Sequence, residues 1–531
     1  MANKKPVFKS WAPEWLIRSV LFIILLPSMT LFGLSTASVA GAAGYYGIEP
    51  TDVQYSMVLF YAAVASFFAL ERRFFTYIAT KEYFLISTAL QILTSLVIYH
   101  TQNLFVIFVF RFLQGMSNCA STSIVITLIF GRLHSARARE IGYSVFYCVL
   151  LCISPFTTLV TAPLLNAFDF NVLYKCLIYA YVPGAILITV LMNPVRLNRK
   201  FPLYQLDFAS FLIYAVALCL IGYVLIYGQE YYWFEDRRIS LCVAGIAVLL
   251  ALHIIRQRKL KRAYLSLDVF KYTNFRIGAL LIFILYIIRG ALGVTSSYFG
   301  AVMGMDPIHV GYILAANMVG VILSVVVSSR LIVLKRPMRQ VWLMGFSLLL
   351  VFHVWMLFLF NSQANASTYI IPLIVQGMGA GMVMAPIIVF MVSSVPAKLG
   401  TMASATGVFF RFTGFCSSIA LINYFQLYRQ SEHYNRFLDN ITDANPLVVQ
   451  KMTAYRQLLV SKGMAPANAT RVANGLLNRS VAVQTQLRFA MDYYQMISWL
   501  ILITILLIAL YPYINRTIVN VRGSQPAPMS Y

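Results

Sequence analysis

Long apolar runs separated by short polar segments dominate the chain. Most runs are long enough that a helix rising about 1.5 Å per residue would cross a bilayer core of about 30 Å. The pattern predicts fourteen transmembrane helices, and an even number places both ends of the chain on one side. The runs cover residues 15–39, 53–70, 83–99, 104–131, 141–165, 172–192, 206–227, 239–255, 275–297, 310–332, 341–360, 369–392, 402–424 and 496–513.

Composition supports this pattern and narrows the class. Hydrophobic residues make up 60% of the 531 residues and charged residues only 11%, a balance that no ordinary soluble core requires. In hydrocarbon every backbone polar group must be paired within the segment, which favours helices here. The sequence therefore predicts an all-α polytopic membrane protein.

The Lys and Arg residues that give the net charge of +24 are concentrated on one side of the predicted membrane topology. Of the 41 Lys and Arg residues, 27 fall in the segments on the side of the N-terminus and three in the short loops opposite. The positive-inside rule then predicts that both termini are cytoplasmic. Because the charge is explained by these loops, we expect no nucleic-acid partner.

The sequence shows no arrangement of residues that is typical of an enzyme active site. The seven cysteines all fall within apolar runs, so the sequence predicts neither a disulfide framework nor a metal site. The short loops hold no His-Asp constellation at a membrane face. We therefore expect a protein that is not an enzyme and that has no cofactor.

A polar signature occurs twice at the centre of an apolar run. Gln114 is followed by Gly115 in the fourth run, and Gln376 is followed by Gly377 in the twelfth. The repeat predicts two related halves of six helices if the seventh and eighth runs are an inserted pair. The predicted boundaries are residues 1–200 for the first half, 201–262 for the pair and the start of a basic linker, and 263–531 for the second half.

The order and spacing of short motifs resemble the 14-helix drug:proton antiporter branch of the major facilitator superfamily. Within it, the chain is similar to the inner-membrane pump of EmrAB-type tripartite multidrug efflux systems. The matching stretches are 111–115, 182–184, 228–230 with 233–234, 267–271 with 274–275, and Arg411 with Gly414. The resemblance implies a major facilitator fold with 14 transmembrane helices arranged as six, two and six.

Function is implied by the same resemblance. It suggests alternating-access export of small amphipathic compounds across the inner membrane of a Gram-negative cell. The expected partners are the lipid bilayer, a small-molecule substrate, a periplasmic membrane-fusion adaptor and an outer-membrane channel. The outer segment 425–492 would meet the adaptor; its sequence predicts a helix from Asn445-Pro446 to Gly463 and a second from about residue 465, with a mobile linker as the alternative.

The chain departs from the branch in its acidic residues. The first helix has no carboxylate near residues 32–35, and none of the 17 acidic residues falls in a mid-membrane position. Proton coupling ordinarily needs a group that binds and releases a proton there. The remaining candidate proton carriers are Asp207, at the mouth of the seventh run, and His353.

Three arginines interrupt apolar runs, where each costs about 2.5–3.5 kcal/mol and must face a cavity or a partner helix. Arg289 has no standard role in the resemblance, whereas Arg111 and Arg411 could equally brace helices through carbonyl groups. The predicted cavity residues are Arg111, Gln114, Arg289, Asn317, Gln376 and Arg411. Two alternatives to multidrug export stay open: an organic-anion transporter that is not coupled to protons, and a transport-inactive scaffold or sensor.

Overall fold

The structure is a computed structural model that describes residues 6–130, 138–196, 206–260, 262–334, 337–442 and 444–511. Within these ranges the chain forms seventeen α-helices and no β-strand. The helices are α1 (Glu14–Ala37), α2 (Val39–Tyr46), α3 (Pro50–Tyr77), α4 (Thr80–His100), α5 (Leu104–Phe130), α6 (Ala138–Ala167), α7 (Val172–Leu191), α8 (Phe208–Tyr227), α9 (Arg237–Lys259), α10 (Thr273–Arg289), α11 (Ala291–Ala301), α12 (Pro307–Val333), α13 (Met338–Leu359), α14 (Ile370–Ser393), α15 (Gly400–Leu438), α16 (Pro446–Ser461) and α17 (Pro466–Leu510).

Fourteen candidate spans are long and apolar enough to cross a membrane, which confirms the predicted number. Helices α10 and α11 together form one span, interrupted at Gly290. The short helix α2 and the polar helix α16 do not count as spans. The described part of the chain is therefore an all-α polytopic membrane protein.

Several helices begin at a residue that pairs an otherwise free backbone amide. Asp207 accepts a hydrogen bond from the backbone N–H of Ser210 at the start of α8. Asp306 begins α12 in the same way, and Asn445 begins α16. A side chain close in sequence thus caps the start of each of these helices.

The two ends of the helix bundle differ in character. We call the end where α1 begins and where residues 262–272, the described part of the linker, lie the basic end. The opposite end, where α16 lies, is the hairpin end. Helices α6 and α12 pack along each other, α3 packs against α15, and α8 contacts both α3 and α15. These contacts join the N-terminal and C-terminal helices around a central space.

The repeated glutamine–glycine signature marks the same close approach twice. A Cβ atom on Gly115 in α5 would overlap the backbone carbonyl of Phe60 in α3. A Cβ atom on Gly377 in α14 would overlap the backbone carbonyl of Asn317 in α12. In each half, glycine therefore lets the fourth span contact the second span backbone to backbone.

The hairpin end is built differently from the prediction. The prediction of α16 is confirmed, with Gly463 at φ +88° after its last turn, and α17 begins at Pro466. However, α15 continues to Leu438, so this region contains three helical pieces instead of two. At about 1.5 Å per residue, α15 and α17 are about 58 and 68 Å long, roughly twice the bilayer core.

Candidate transport cavity

A cavity of about 1340 Å³ lies between the N-terminal and C-terminal helices. Its walls come from α1, α2, α3, α5 and α6 on one side and from α10, α11, α12, α15 and α17 on the other. Helices from both halves of the sequence therefore contribute to a single space.

The cavity reaches the hairpin end and stops short of the basic end. Its lining includes the exposed residues Gly44, Pro50 and Pro307, which lie where α2, α3 and α12 meet that end. Its deepest lining residues include Phe68 in α3 and Phe146 in α6. The described structure is thus accessible from the hairpin end.

Among the described residues, the basic end is closed by hydrogen bonds that hold residues 262–272 of the linker onto the helices. The Tyr264 hydroxyl donates to the backbone carbonyl of Ser66 in α3. Gln257 accepts from the Leu265 N–H at 3.1 Å and donates to Ser210 Oγ at 2.9 Å. These bonds tie α3, α8 and α9 to the start of the C-terminal helices.

One wall of the cavity is aromatic. Phe32 of α1 contacts the rings of Tyr61 and Phe415 at centroid distances of 5.3 and 5.9 Å, and that of Phe60 at 5.8 Å. Tyr61 and Phe415 lie 5.5 Å apart. We call these four rings the aromatic wall; they come from α1, α3 and α15 and all line the cavity. Such a surface packs flat apolar groups.

The charged groups that line the cavity are few. Among the described residues they are Arg289, Arg411 and Asp169. Asp169 is exposed and follows the end of α6, at the mouth. The interior of the cavity is therefore positive.

Arg289 is the last residue of α10, directly before the break in this span. Its guanidinium carbon lies 5.5 Å from the centre of the Tyr286 ring. Within the described part of the chain no carboxylate or hydrogen-bond acceptor pairs with Arg289. The guanidinium is thus available to a ligand.

Arg411 is held by tyrosines. Its side chain is only 8% exposed, and Nη1 donates to the Tyr147 hydroxyl at 3.4 Å. The guanidinium carbon also lies 5.8 Å from the centre of that ring. Because Tyr147 lies in α6 and Arg411 in α15, the contact joins the two halves.

Comparison with known proteins agrees with this geometry. The sequence profile of the Major Facilitator Superfamily matches residues 20–420. The chain belongs to the major facilitator superfamily. No curated protein sequence matches it.

Solved structures place this major facilitator protein among transporters of the same fold. A POT family transporter in complex with 5-aminolevulinic acid is 10% identical, with a TM-score of 0.60 over 94% of this chain and 96% of that one. The peptide transporter POT in complex with sulfate is 14% identical, with a TM-score of 0.56 over 94% and 95%. The human organic anion transporter MFSD10 is 12% identical, with a TM-score of 0.50 over 94% and 100%.

Membrane transport is the function that these comparisons support for a member of the superfamily. At such low identity the structural likeness concerns the fold alone, and the substrates of those proteins are not transferred to this one. The chemistry of the residues that line the cavity is therefore what indicates the substrate of this major facilitator protein.

Two of the residues predicted to line the cavity are instead buried behind the cavity wall. Arg111 is 1% exposed, and its Nη1 donates to Gln114 Oε1 at 2.9 Å. Gln114 in turn donates to Ser95 Oγ of α4 at 3.0 Å. Arg111 stands 5.2 Å from the centre of the Phe60 ring, which itself faces the cavity. Arg111 and Gln114 thus brace α5 against α4 and α3.

Asn317 and Gln376 form the corresponding contact in the second half of this facilitator protein. Asn317 Nδ2 donates to the Leu373 carbonyl at 3.0 Å and to Gln376 Oε1. Both side chains are buried between α12 and α14, and neither is among the cavity-lining residues that the structure describes. They connect the two helices that Gly377 brings together.

The candidate proton carriers of this facilitator protein also lie off the cavity. His353 is buried in α13, with Nδ1 2.7 Å from the Leu349 carbonyl and its ring centre 5.1 Å from that of Tyr494. Asp207 forms an ion pair with Arg256 at 2.9 Å. Burial alone would raise the Asp207 pKa, but hydrogen bonds from Ser210 and Arg256 outweigh it and hold the pKa below its usual value.

Sequence reasoning missed two polar features of this facilitator protein. Gln54 of α3 and Asn423 of α15 exchange hydrogen bonds of 2.6 and 3.4 Å across the cavity-lining helices, near the hairpin end. Both lie near the ends of apolar runs, where amides are ordinary. Glu71, directly after the second apolar run and next to Arg72 in sequence, is 1% exposed at the basic end.

Proposed function

We propose that this protein exports small amphipathic compounds of several kinds by alternating access. The observation that carries the proposal is the cavity itself, which lies between the halves and, among the described residues, opens at the hairpin end. Its volume exceeds the roughly 300–1,000 Å³ of most small-molecule sites, so a drug-sized ligand fits with space to spare. A wide cavity with a largely apolar lining suits substrates that are all amphipathic but differ in shape.

The transport cycle follows from the contacts between the helices. The halves 1–200 and 263–531 would rock about the α6–α12 and α3–α15 contacts, with the helix pair in 201–262 moving alongside. The basic end would open when the linker bonds of Tyr264 and Gln257 release. Substrate would then enter at the basic end and leave at the hairpin end.

The direction of export rests on charge and on the hairpin end. The excess of Lys and Arg on one side supports a cytoplasmic location of the basic end and of both termini. Helices α15 and α17 continue well past the length needed to cross the bilayer. In the inner membrane of a Gram-negative cell they would hand the substrate to a periplasmic membrane-fusion adaptor and an outer-membrane channel.

Transport that is not coupled to protons is a second candidate. It is favoured by the charged lining, in which Asp169, an exposed residue at the mouth, is the carboxylate that faces the described cavity. A proton-coupled exporter ordinarily uses a membrane-embedded group that is alternately protonated and ionised.

Uptake of dyes into inverted inner-membrane vesicles tests these candidates without an adaptor or outer channel. Matched anionic, neutral and cationic dyes would be supplied with and without an imposed pH gradient. Uptake that needs the gradient supports proton-coupled export, whereas gradient-independent uptake supports the second candidate. Absence of uptake of every dye, from vesicles that contain folded protein, would overturn both and favour a transport-inactive scaffold or sensor.

A further inference from the structure

Arg289 has a free positive charge inside a space built mostly of apolar groups. Arg289 is half-buried, and a guanidinium in such a partly apolar site binds an anion more strongly than one in bulk water does. Among the described residues no carboxylate or hydrogen-bond acceptor pairs with it; its guanidinium lies over the face of the Tyr286 ring and interacts electrostatically with the Cys152 thiol. A planar carboxylate or sulfonate would satisfy this fork of N–H donors.

The backbone holds Arg289 in a fixed place. Its neighbour Gly290 lies so close to α15 that a Cβ atom there would overlap the Ser418 hydroxyl. Ser418 Oγ in turn donates to the Ile287 carbonyl at 3.4 Å. Because α10 ends at Arg289 and α11 begins after Gly290, the charge lies at a packed break in the span and not at a mobile end.

Arg411 adds to the positive potential of the cavity, but its guanidinium is less available to a ligand than that of Arg289. Its Nη1 already donates to Tyr147, and Tyr147 packs against its guanidinium. The acidic residue of the described lining, Asp169, lies at the mouth. Inside the cavity two positive charges therefore attract an anion and repel a cation.

The aromatic wall adds a second recognition element. Phe32, Phe60, Tyr61 and Phe415 present four rings to the same cavity, at mutual distances typical of tilted and edge-on aromatic pairs. A ligand with an aromatic body gains packing there, whereas a small inorganic anion does not.

We infer that the cavity binds aromatic organic monoanions, whose carboxylate or sulfonate contacts Arg289 while their rings pack on the aromatic wall. The inference rests on the proposal that this cavity is the substrate site, and it names the class of substrate that the site prefers.

Equilibrium binding to the purified full-length protein in lipid nanodiscs tests the inference. The probes are naphthalene-2-sulfonate, the neutral naphthalene-2-sulfonamide and the cationic 2-naphthylmethylammonium, with inorganic sulfate as a competitor. We expect the sulfonate to bind at least about tenfold more tightly than the sulfonamide, as a charge-assisted contact allows. Sulfate should compete poorly because it lacks a ring.

Variants assign the preference to Arg289. Arg289→Ala should abolish the advantage of the sulfonate over the sulfonamide, and Arg289→Lys should restore part of it. Arg276→Ala is the matched control, since Arg276 lies on the same helix α10 but is exposed at the basic end. Phe32→Ala should weaken the binding of the sulfonate and of the sulfonamide alike. Thermal unfolding of each variant confirms that it is folded.

The inference is overturned if the sulfonate and sulfonamide bind equally to the wild type, or if Arg289→Ala leaves their ratio unchanged. Vesicle uptake of the same probes separates this failure from that of the proposed function. Uptake of the neutral probe without preference for the anion would contradict the anion site alone. Tight sulfonate binding without uptake of any probe would contradict export and support the anion site.

Discussion

Tyr264, in the linker between α9 and α10, donates its hydroxyl hydrogen to the backbone carbonyl oxygen of Ser66 in α3. The two residues are separated by 198 positions in the sequence and lie at the basic end of the bundle. The Tyr264 side chain is fully buried, and its ring packs on that of Tyr214 in α8 at 5.9 Å. The linker is therefore part of the closure that seals the cavity from this side.

Tyr264→Phe should weaken that closure. The substitution keeps the ring and removes one buried hydrogen bond, worth about 1 kcal/mol of the free energy of unfolding. We expect a lower unfolding temperature in detergent and a larger fraction of molecules open at the basic end, measured by fluorescence distance between labels on the two halves. Tyr272→Phe, in the same linker, is the control because no hydrogen bond of its hydroxyl occurs among the described residues. Equal effects of the two substitutions would contradict the role of Tyr264.

Much of the fold could be predicted because a transmembrane helix needs about 20 apolar residues, a pattern that survives in one sequence. The glutamine–glycine repeat also had a physical cause, since Gly115 and Gly377 lie at equivalent backbone contacts. The break at Gly290 could not be predicted, because the neighbouring Ser418 of α15 is distant in sequence. For the same reason the continuation of α15 to Leu438 was missed, as its partners lie on α17.

The cavity was predicted less completely than the fold. Arginines in apolar runs are rare enough to be noticed, and Arg289 and Arg411 do line it. Arg111, Gln114, Asn317 and Gln376 are equally unusual in sequence, but they face neighbouring helices instead. Which face of a helix meets a partner helix depends on tertiary packing. When nearly every face of a helix is apolar, the hydrophobic pattern of the sequence does not indicate which face that is.

Gly115→Ala and Gly377→Ala should each destabilise the bundle. The added methyl group would push α5 from α3, or α14 from α12, and such overpacking typically costs about 1–3 kcal/mol. We expect a lower unfolding temperature for both variants. Gly475→Ala in α17 is the control, because its Cβ would meet nothing and alanine favours helix. An unfolding temperature of Gly377→Ala equal to that of the wild type would show that α12 and α14 can move apart without loss of stability.

Asn317→Ala should lower stability without altering ligand affinity. It removes the donor to the buried Gln376 oxygen, and a buried polar group without a partner costs about 1–3 kcal/mol. The double variant Asn317→Leu/Gln376→Leu should recover part of the loss, because no polar group then remains unpaired. Thermal unfolding and naphthalene-2-sulfonate binding measure the two effects. A change in affinity without a change in stability would place Asn317 in the substrate site.

Asp207→Asn should destabilise the protein more at neutral pH than at low pH. Asparagine still caps α8, so the substitution isolates the ion pair with Arg256. Because hydrogen bonds lower the folded pKa, the carboxylate stabilises the protein above the unfolded value of about 3.9. That stability is lost as the pH falls from about 4 through the lower folded pKa.

Unfolding midpoints at pH 7 and near pH 3 measure this difference. Partial exposure of Arg256 limits the effect at neutral pH to about 1 kcal/mol. The pH dependence of vesicle uptake between pH 6 and 8 should be unchanged, since Asp207 stays ionised throughout. Loss of gradient-driven uptake in Asp207→Asn would instead make Asp207 a proton carrier.

Replacement of residues 439–465 by a flexible Gly-Ser linker should preserve transport across the membrane but abolish transfer of the substrate to a partner protein. Helix α16 buries none of its residues, and its contacts with α17 include two exposed hydrogen bonds, Lys451–Ser480 at 3.4 Å and Arg456–Thr470 at 3.0 Å. The bundle should therefore keep its unfolding temperature and its dye uptake in vesicles. Under the proposed function, cells that rely on this protein for dye resistance should lose that resistance, because the proposed adaptor would no longer contact α16.

The control variant carries the same Gly-Ser linker inserted at Gly463, with α16 retained, and should keep most of the resistance. Leu447→Ser is a finer probe, since Leu447 is 72% exposed on α16 and its apolar side chain is free to meet a partner. Full resistance after removal of α16 would contradict transfer through the hairpin end. Loss of vesicle uptake would mean instead that α16 takes part in the transport cycle, through its contacts with α17, which itself lines the cavity.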